Sequence, residues 1–105
     1  MADLEPGAAL RITVRDDPAG AVIALGGDLD VSNADELAAA LDPLLAAKPA
    51  RLVFDLAELR FMDSSGIAQL LRSAAVVPVS VVHVSHIVRR VLEATGLIEA
   101  LGVEP

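Results

Sequence analysis

Cysteine is absent from the chain, so neither a disulfide nor thiolate chemistry is available to it. Tryptophan and tyrosine are absent too, and two phenylalanines are the only aromatic residues. Long apolar runs are missing: nothing approaches the roughly 20 consecutive residues that a helix needs to cross a bilayer. The amino-terminal "MADLEPGAAL" starts acidic and has no basic stretch followed by an apolar one, so it is not expected to be a signal peptide. Bases are few. Eight Lys and Arg stand against 15 Asp and Glu for a net charge of -7, a balance that disfavours phosphate backbones and so argues against nucleic acid. The expectation is a cytoplasmic protein without membrane insertion.

What is present is aliphatic. Apolar residues, largely Ala and Val, make up 54% of the 105 positions, and mean hydropathy is +0.59. That is enough for one core, so residues 1–105 are read as a single domain. No internal repeat, linker or low-complexity segment divides it.

Leu10, Ile12 and Val14 alternate with Arg11, Thr13 and Arg15, the period-two pattern of a half-buried strand. "DDPAG" predicts a turn and "AVIAL" a second strand, giving an antiparallel hairpin. "GGDLDVSN" is expected to break that strand and to offer Ser32 or Asn33 as a helix cap, with Asp35 and Glu36 at the positive end of the helix dipole. Ala34, Leu37, Ala38, Leu41, Leu44 and Leu45 then form one helical face, which Pro43 should kink or end. The continuous apolar run "RLVFDL" reads as a central strand covered on both faces. "AELRFM" leads to "DSSG", after which Ile67, Leu70, Leu71 and Ala74 share a helical stripe that Pro78 stops. "VSVVHV" is a further strand, in which His83 is expected to be a packed, neutral imidazole. In "SHIVRRVLEATGL", Ser85 caps a helix whose face is Ile87, Val88, Val91, Leu92 and Thr95. Gly96 falls where a left-handed residue ends the helix, with Leu97 packing back. The closing "VEP" is expected to fray.

This order predicts an α/β fold. A mixed sheet of four to five strands, with an antiparallel edge hairpin followed by parallel βα units, carries three to four helices. The two polar stretches, "GDLDVSN" and "MDSSG", both lie where a strand runs into a helix, so they should share one rim.

Asp63 suits a helix N-cap, which puts Ser64 at the first helical position with its hydroxyl outward. A helix N-terminus tolerates an anion, so a phosphate of about -1.5 to -2 charges would cost the fold little there while repelling a docked partner. Gly66 would leave room for another backbone to approach. On local physics alone, a plain cap and a docking element both remain open. Enzyme chemistry is not supported: a serine nucleophile needs a base, the only histidines are His83 and His86, and neither has metal-ligand spacing. Gly26-Gly27 falls short of a nucleotide fingerprint. No cofactor and no metal are expected.

"FDLAELRFMDSSGIAQLL" resembles the signature of STAS domains, in particular bacterial anti-sigma-factor antagonists. "GGDLDVSNADEL" is similar to the family's second-strand-to-first-helix segment, and "VSHIVRRVLEATGL" to its late helix. The resemblance covers about Leu10 to Leu101 and implies the SpoIIAA-like STAS fold. It also implies a partner switch: the unphosphorylated protein binds an anti-sigma factor that is itself a serine protein kinase, freeing a sigma factor. The kinase phosphorylates the motif's first serine and a PP2C-type, metal-dependent phosphatase restores it. Carried over by position, the phosphoacceptor is Ser64. The partner surface comprises Asp28, Asp30, Ser32, Asn33, Asp63, Ser64, Ser65 and Gly66, with Asp30 in direct contact. The chain departs from the pattern in its short "RSAAVVPVS" connection, in Gly66-Ile67-Ala68 where Gly-Leu-Gly is commoner, and in Ser85-His86 where Ser-Pro is frequent. The C-terminus also stops at "LGVEP", where many relatives carry a further helix or strand. Two other readings of such a domain are a small STAS subunit of a lipid ABC transporter docking on its ATPase, and a stressosome-like scaffold component. Monomer and weak dimer both remain open.

Overall fold

The computed structural model describes residues 9–18 and 20–104. Seven elements follow one another: β1 (Arg11–Asp17), β2 (Gly20–Leu29), α1 (Ala34–Ala46), β3 (Leu52–Met62), α2 (Ser64–Ala74), β4 (Val79–Val82) and α3 (His86–Ala94). The strands form one sheet in the order β1-β2-β3-β4, antiparallel between β1 and β2 and parallel thereafter. This is the mixed sheet expected from the alternation of periods, with four strands and three helices among the described residues. None of those helices is long and apolar enough to cross a membrane.

One sheet face carries the core. Ile23 and Leu25 of β2, Phe54 and Leu56 of β3 and Val81 of β4 lie in a single buried cluster with Leu37 and Leu41 of α1, Leu70 of α2 and Val88 and Leu92 of α3. The paired register puts Arg15 beside Val22, Val22 beside Val53 and Ala24 beside Asp55 on the opposite face, away from that cluster. The apolar run "RLVFDL" is therefore not covered by helices on both sides. Its alternate residues, Val53 and Asp55, are half-buried on an open face.

Both central strands are longer than their apolar runs. β2 continues through Gly26 and Gly27 to Leu29 instead of breaking. β3 continues through "AELRFM" because its pairing with β2 slips twice, between Ala24 and Gly26 and between Gly27 and Asp28. At each slip β3 holds one extra residue, the signature of a β-bulge. Each bulge re-phases the inward side chains, so Leu56, Leu59 and Met62 are all buried at spacings of three. The hairpin turn is also tighter than "DDPAG" suggested, since Asp17 still pairs with Gly20.

Helix ends follow local chemistry. α1 runs unbroken through Pro43, which is exposed in the last turn, where only one N–H is forfeited. Lys48, at φ 51, follows its end. Ser85 caps α3, accepting from Val88 N at 3.2 Å. Gly96 adopts φ +73, its N–H bonding Glu93 O at 3.0 Å while Leu97 N bonds Leu92 O at 2.9 Å, a Schellman closure. His83 is not a packed strand residue. It lies just past β4 at φ 60, exposed, with Nδ1 3.1 Å from Asp55 Oδ1. Nor does the C-terminus fray up to Glu104: Leu101 is fully buried, and Val103 bridges Val81 along the outer edge of β4.

Candidate functional site

The carboxyl ends of β2 and β3 lie side by side, with Leu29 opposite Met62 and Asp63 N donating to Leu29 O at 3.2 Å. The two polar stretches therefore do share one rim. After each strand comes the same local structure. Asp63 Oδ1 accepts Ser65 N at 2.9 Å and Ser65 Oγ at 2.5 Å. Asp30 Oδ1 accepts Ser32 N at 2.9 Å and Ser32 Oγ at 2.5 Å. In both, the Asp ties down the residue two places on and the residue between is turned outward: Val31 in one, 81% exposed, and Ser64 in the other.

Asp63 is the N-cap of α2. The Ser65 hydroxyl holds its carboxyl below the usual Asp range, with further help from the backbone N–H groups of Ser65, Gly66 and Val31, against an opposing effect of burial. Ser64 occupies the first helical position, exposed, and its hydroxyl has no hydrogen-bond partner in the described structure. The adjacent hydroxyl is different: Ser65 is half-buried and committed to Asp63.

The helix end is less of an anion cradle than its position suggested. Gly66 N and Ile67 N both bond Asp63 O at 3.1 Å, and Ser65 N is taken by the Asp63 carboxylate. A phosphate on Ser64 would thus find the N–H groups of Ser65, Gly66 and Ile67 spent, the Ser64 N–H uncommitted among the described residues, and a negative charge beside it.

The remaining expected residues are mostly turned to internal work. Asn33, at the N-cap position of α1, makes no side-chain cap bond. Its amide instead spans the loop, Nδ2 donating to Asp28 O at 2.8 Å and Oδ1 accepting Asp30 N at 3.0 Å. The Asp28 side chain is 17% exposed; its buried Oδ1 accepts no hydrogen bond, and Arg60 Nε lies 3.5 Å away in an ion pair longer than a hydrogen bond. Gly66 is buried, and a Cβ there would lie 2.7 Å from both Leu29 and Met62. Its bareness lets α2 sit close on the strand ends and opens no space for a visiting backbone. Ser32 is exposed, with its hydroxyl held by Asp30.

Sequence reasoning missed two apolar members of this rim, Val31 and Phe61, the latter 43% exposed. A lone Val between Asp30 and Ser32 in an otherwise polar turn was the available signal for the first. Phe61 was hidden by the second bulge of β3. No group of three or more His, Asp or Glu among the described residues is placed to hold a metal. Neither histidine bonds a serine hydroxyl.

Residues 12–102 match the family model described as "Mlab, STAS domain", and the chain belongs to the STAS domain family. No curated protein matches the chain. Among solved structures it is similar to an anti-sigma factor antagonist from Mycobacterium paratuberculosis, at 26% identity and a TM-score of 0.85 over 92% of this chain and 86% of that one. SpoIIAA in its unphosphorylated form, an anti-sigma factor antagonist, shares the fold at 22% identity and a TM-score of 0.73, over 90% of this chain and 89% of that one. The phosphorylated form of SpoIIAA, a Bacillus cell fate determinant, does so at 21% identity and a TM-score of 0.65, over 92% of each chain.

Proposed function

We propose that this protein is an anti-sigma-factor antagonist whose binding is switched off by phosphorylation of Ser64. One observation carries the reading. Of two adjacent serines at the start of α2, Ser64 presents a free hydroxyl to solvent, whereas Ser65 has its hydroxyl locked to Asp63. A kinase reaching this rim is offered one acceptor. The similarity to the mycobacterial antagonist supports the same reading.

The unmodified rim offers Val31 and Phe61 as apolar contacts, bordered by Asp30 and the exposed Asp35 and Glu36 of α1. The partner is an anti-sigma factor with serine kinase activity, and a PP2C-type phosphatase resets the switch. Phosphate on Ser64 would place a strongly hydrated dianion against that interface, next to Asp63. Losing about 3 kcal/mol of interface energy weakens binding roughly a hundredfold, so no internal rearrangement is needed.

A second reading keeps the same surface without modification: a small STAS subunit docking on the ATPase of a lipid transporter. Commitment of the Ser65, Gly66 and Ile67 N–H groups to Asp63 favours it, since among the described residues this leaves the Ser64 N–H as the one uncommitted donor of the first turn for a phosphate.

Incubation with ATP and serine kinases from the protein's own cells, followed by mass spectrometry, separates the two. A single phosphate on Ser64, blocked by Ser64→Ala, with anti-sigma capture abolished by Ser64→Glu, supports the switch. Phosphate confined to Ser65, or a Ser64→Glu variant that keeps every partner, overturns it.

A further inference from the structure

The two edges of the sheet are treated differently. Along β4 the outer edge is closed by the chain's own C-terminal segment: Val81 N donates to Gly102 O at 3.1 Å and Glu104 N donates to Val81 O at 2.9 Å. Among the described residues, β1 at the other edge pairs only with β2. Its seven residues, Arg11–Asp17, contain no proline or glycine, and the β1–β2 register runs without a slip. Val14 is 44% exposed there. A regular strand whose outer backbone edge pairs with no other described strand is a template for another strand, and the charges that can blunt such an edge here restrict which register is allowed.

We propose that β1 pairs antiparallel with β1 of a second copy of this chain, about a two-fold axis through Val14, to make a continuous eight-stranded sheet. The charge pattern selects both occupant and register. Two copies related by a two-fold axis perpendicular to the sheet keep their helices on the same side, so residues of equal parity must face each other. Centred on Val14, Arg11 faces Asp17, Thr13 faces Arg15, Ile12 faces Asp16 and Val14 faces Val14. Opposite charges meet at both ends, and no like charges do. Centring on Thr13 sets Arg11 against Arg15, and centring on Arg15 sets the two Arg15 side chains together. Like charges directly opposite across a strand pair are destabilising. Arg11 already lies 3.3 Å from the exposed Glu58 Oε1, and a guanidinium with five N–H donors can serve both carboxylates. Since each chain carries a net charge of -7, the dimer is expected to be concentration-dependent.

The geometry leaves the candidate docking rim uncovered. Ser64 follows β3, two strands in from the paired edge, and the two-fold axis sends the two rims to opposite ends of the joined sheet.

Sedimentation equilibrium of the purified chain over a range of concentrations tests this, with circular dichroism to confirm that each variant is folded. Wild type should show reversible monomer–dimer behaviour. Arg11→Asp alone and Asp17→Arg alone should both be monomeric, because each sets like charges opposite at both ends. An equimolar mixture of the two variants should recover the dimer, since one chain then carries acid at both ends of β1 and the other carries base at both. A wild type that stays monomeric throughout overturns the proposal. So does a dimer indifferent to both substitutions, or a mixture that fails to associate. None of these outcomes bears on Ser64 phosphorylation, which is read separately by mass spectrometry.

Discussion

Asp30 and Asp63 hold the residues two places after them in matching geometry, each accepting an N–H at 2.9 Å and a hydroxyl at 2.5 Å. Because β2 and β3 are parallel neighbours, the two turns stand side by side, and the residue inside each, Val31 or Ser64, points to solvent. The same side-chain chemistry, used twice, makes a rim with one apolar and one hydroxyl-bearing protrusion.

The exposed serine and the capping aspartate of this rim should separate in stability measurements. Ser64→Ala should change unfolding free energy by no more than about 0.5 kcal/mol, as expected for an exposed side chain without partners. Asp63→Ala removes the cap of α2 and the bond to the Ser65 hydroxyl, and should cost about 0.5–2 kcal/mol. Urea titrations of the two variants check this; equal costs would contradict the assignment of Asp63 as the structural residue.

Val31→Asp should leave thermal stability close to wild type, since the side chain is 81% exposed. It should weaken capture of the proposed anti-sigma partner at least tenfold, because it puts a charge where that interface needs an apolar contact. Isothermal titration calorimetry measures the binding.

Two glycines should fail for different reasons. Alanine at Gly66 drives a Cβ to within 2.7 Å of Leu29 and Met62, an overpacking cost of about 1–3 kcal/mol. Alanine at Gly96 meets nothing within 4 Å and suffers only from its backbone at φ +73, about 1–2 kcal/mol. Asparagine, which tolerates left-handed backbone, should recover part of the loss at 96 and none at 66; chemical denaturation of the four variants decides this.

Acid should unfold the protein partly through Asp55 and Asp63. Burial pushes the Asp55 carboxyl up, but the Ala57 N–H, the His83 ring and its charge, and Arg15 outweigh it, and Asp63 is held low by Ser65. A folded-state pKa below the unfolded value of about 4 means that both contribute stability above that pH and lose it as pH falls through their folded values. Asp63→Asn should therefore flatten the stability profile below about pH 4 while lowering the plateau above it, as measured by urea midpoints against pH.

The order of elements was readable because the apolar periods switch cleanly from two to 3.6 and back. Gly96-Leu97 and Ser85 announced the closure and start of α3 by chemistry confined to a few neighbouring residues. Features set by distant neighbours were not readable. Leu56, Leu59 and Met62 recur every third residue within a strand because of two bulges that exist only in the pairing with β2. Hydrophobicity alone could not show that Val53 and Asp55 face away from the helices, nor that His83 leaves its strand with φ 60. Within the site, Asp63 and Ser64 were legible as a cap and the first helical residue after it. The inward turn of Gly66 and Asp28 depended on how closely α2 and Arg60 approach them.

The tight seat of Gly66 on Leu29 and Met62 bears on tempo. A helix pressed this closely to its strands has no room for even one added atom at the contact, so under the proposed function the message is held as a printed mark on the surface and asks for no lever beneath it. The clock of the circuit would then be kept entirely by the enzymes that write and erase that mark, and both would meet the same unaltered backbone.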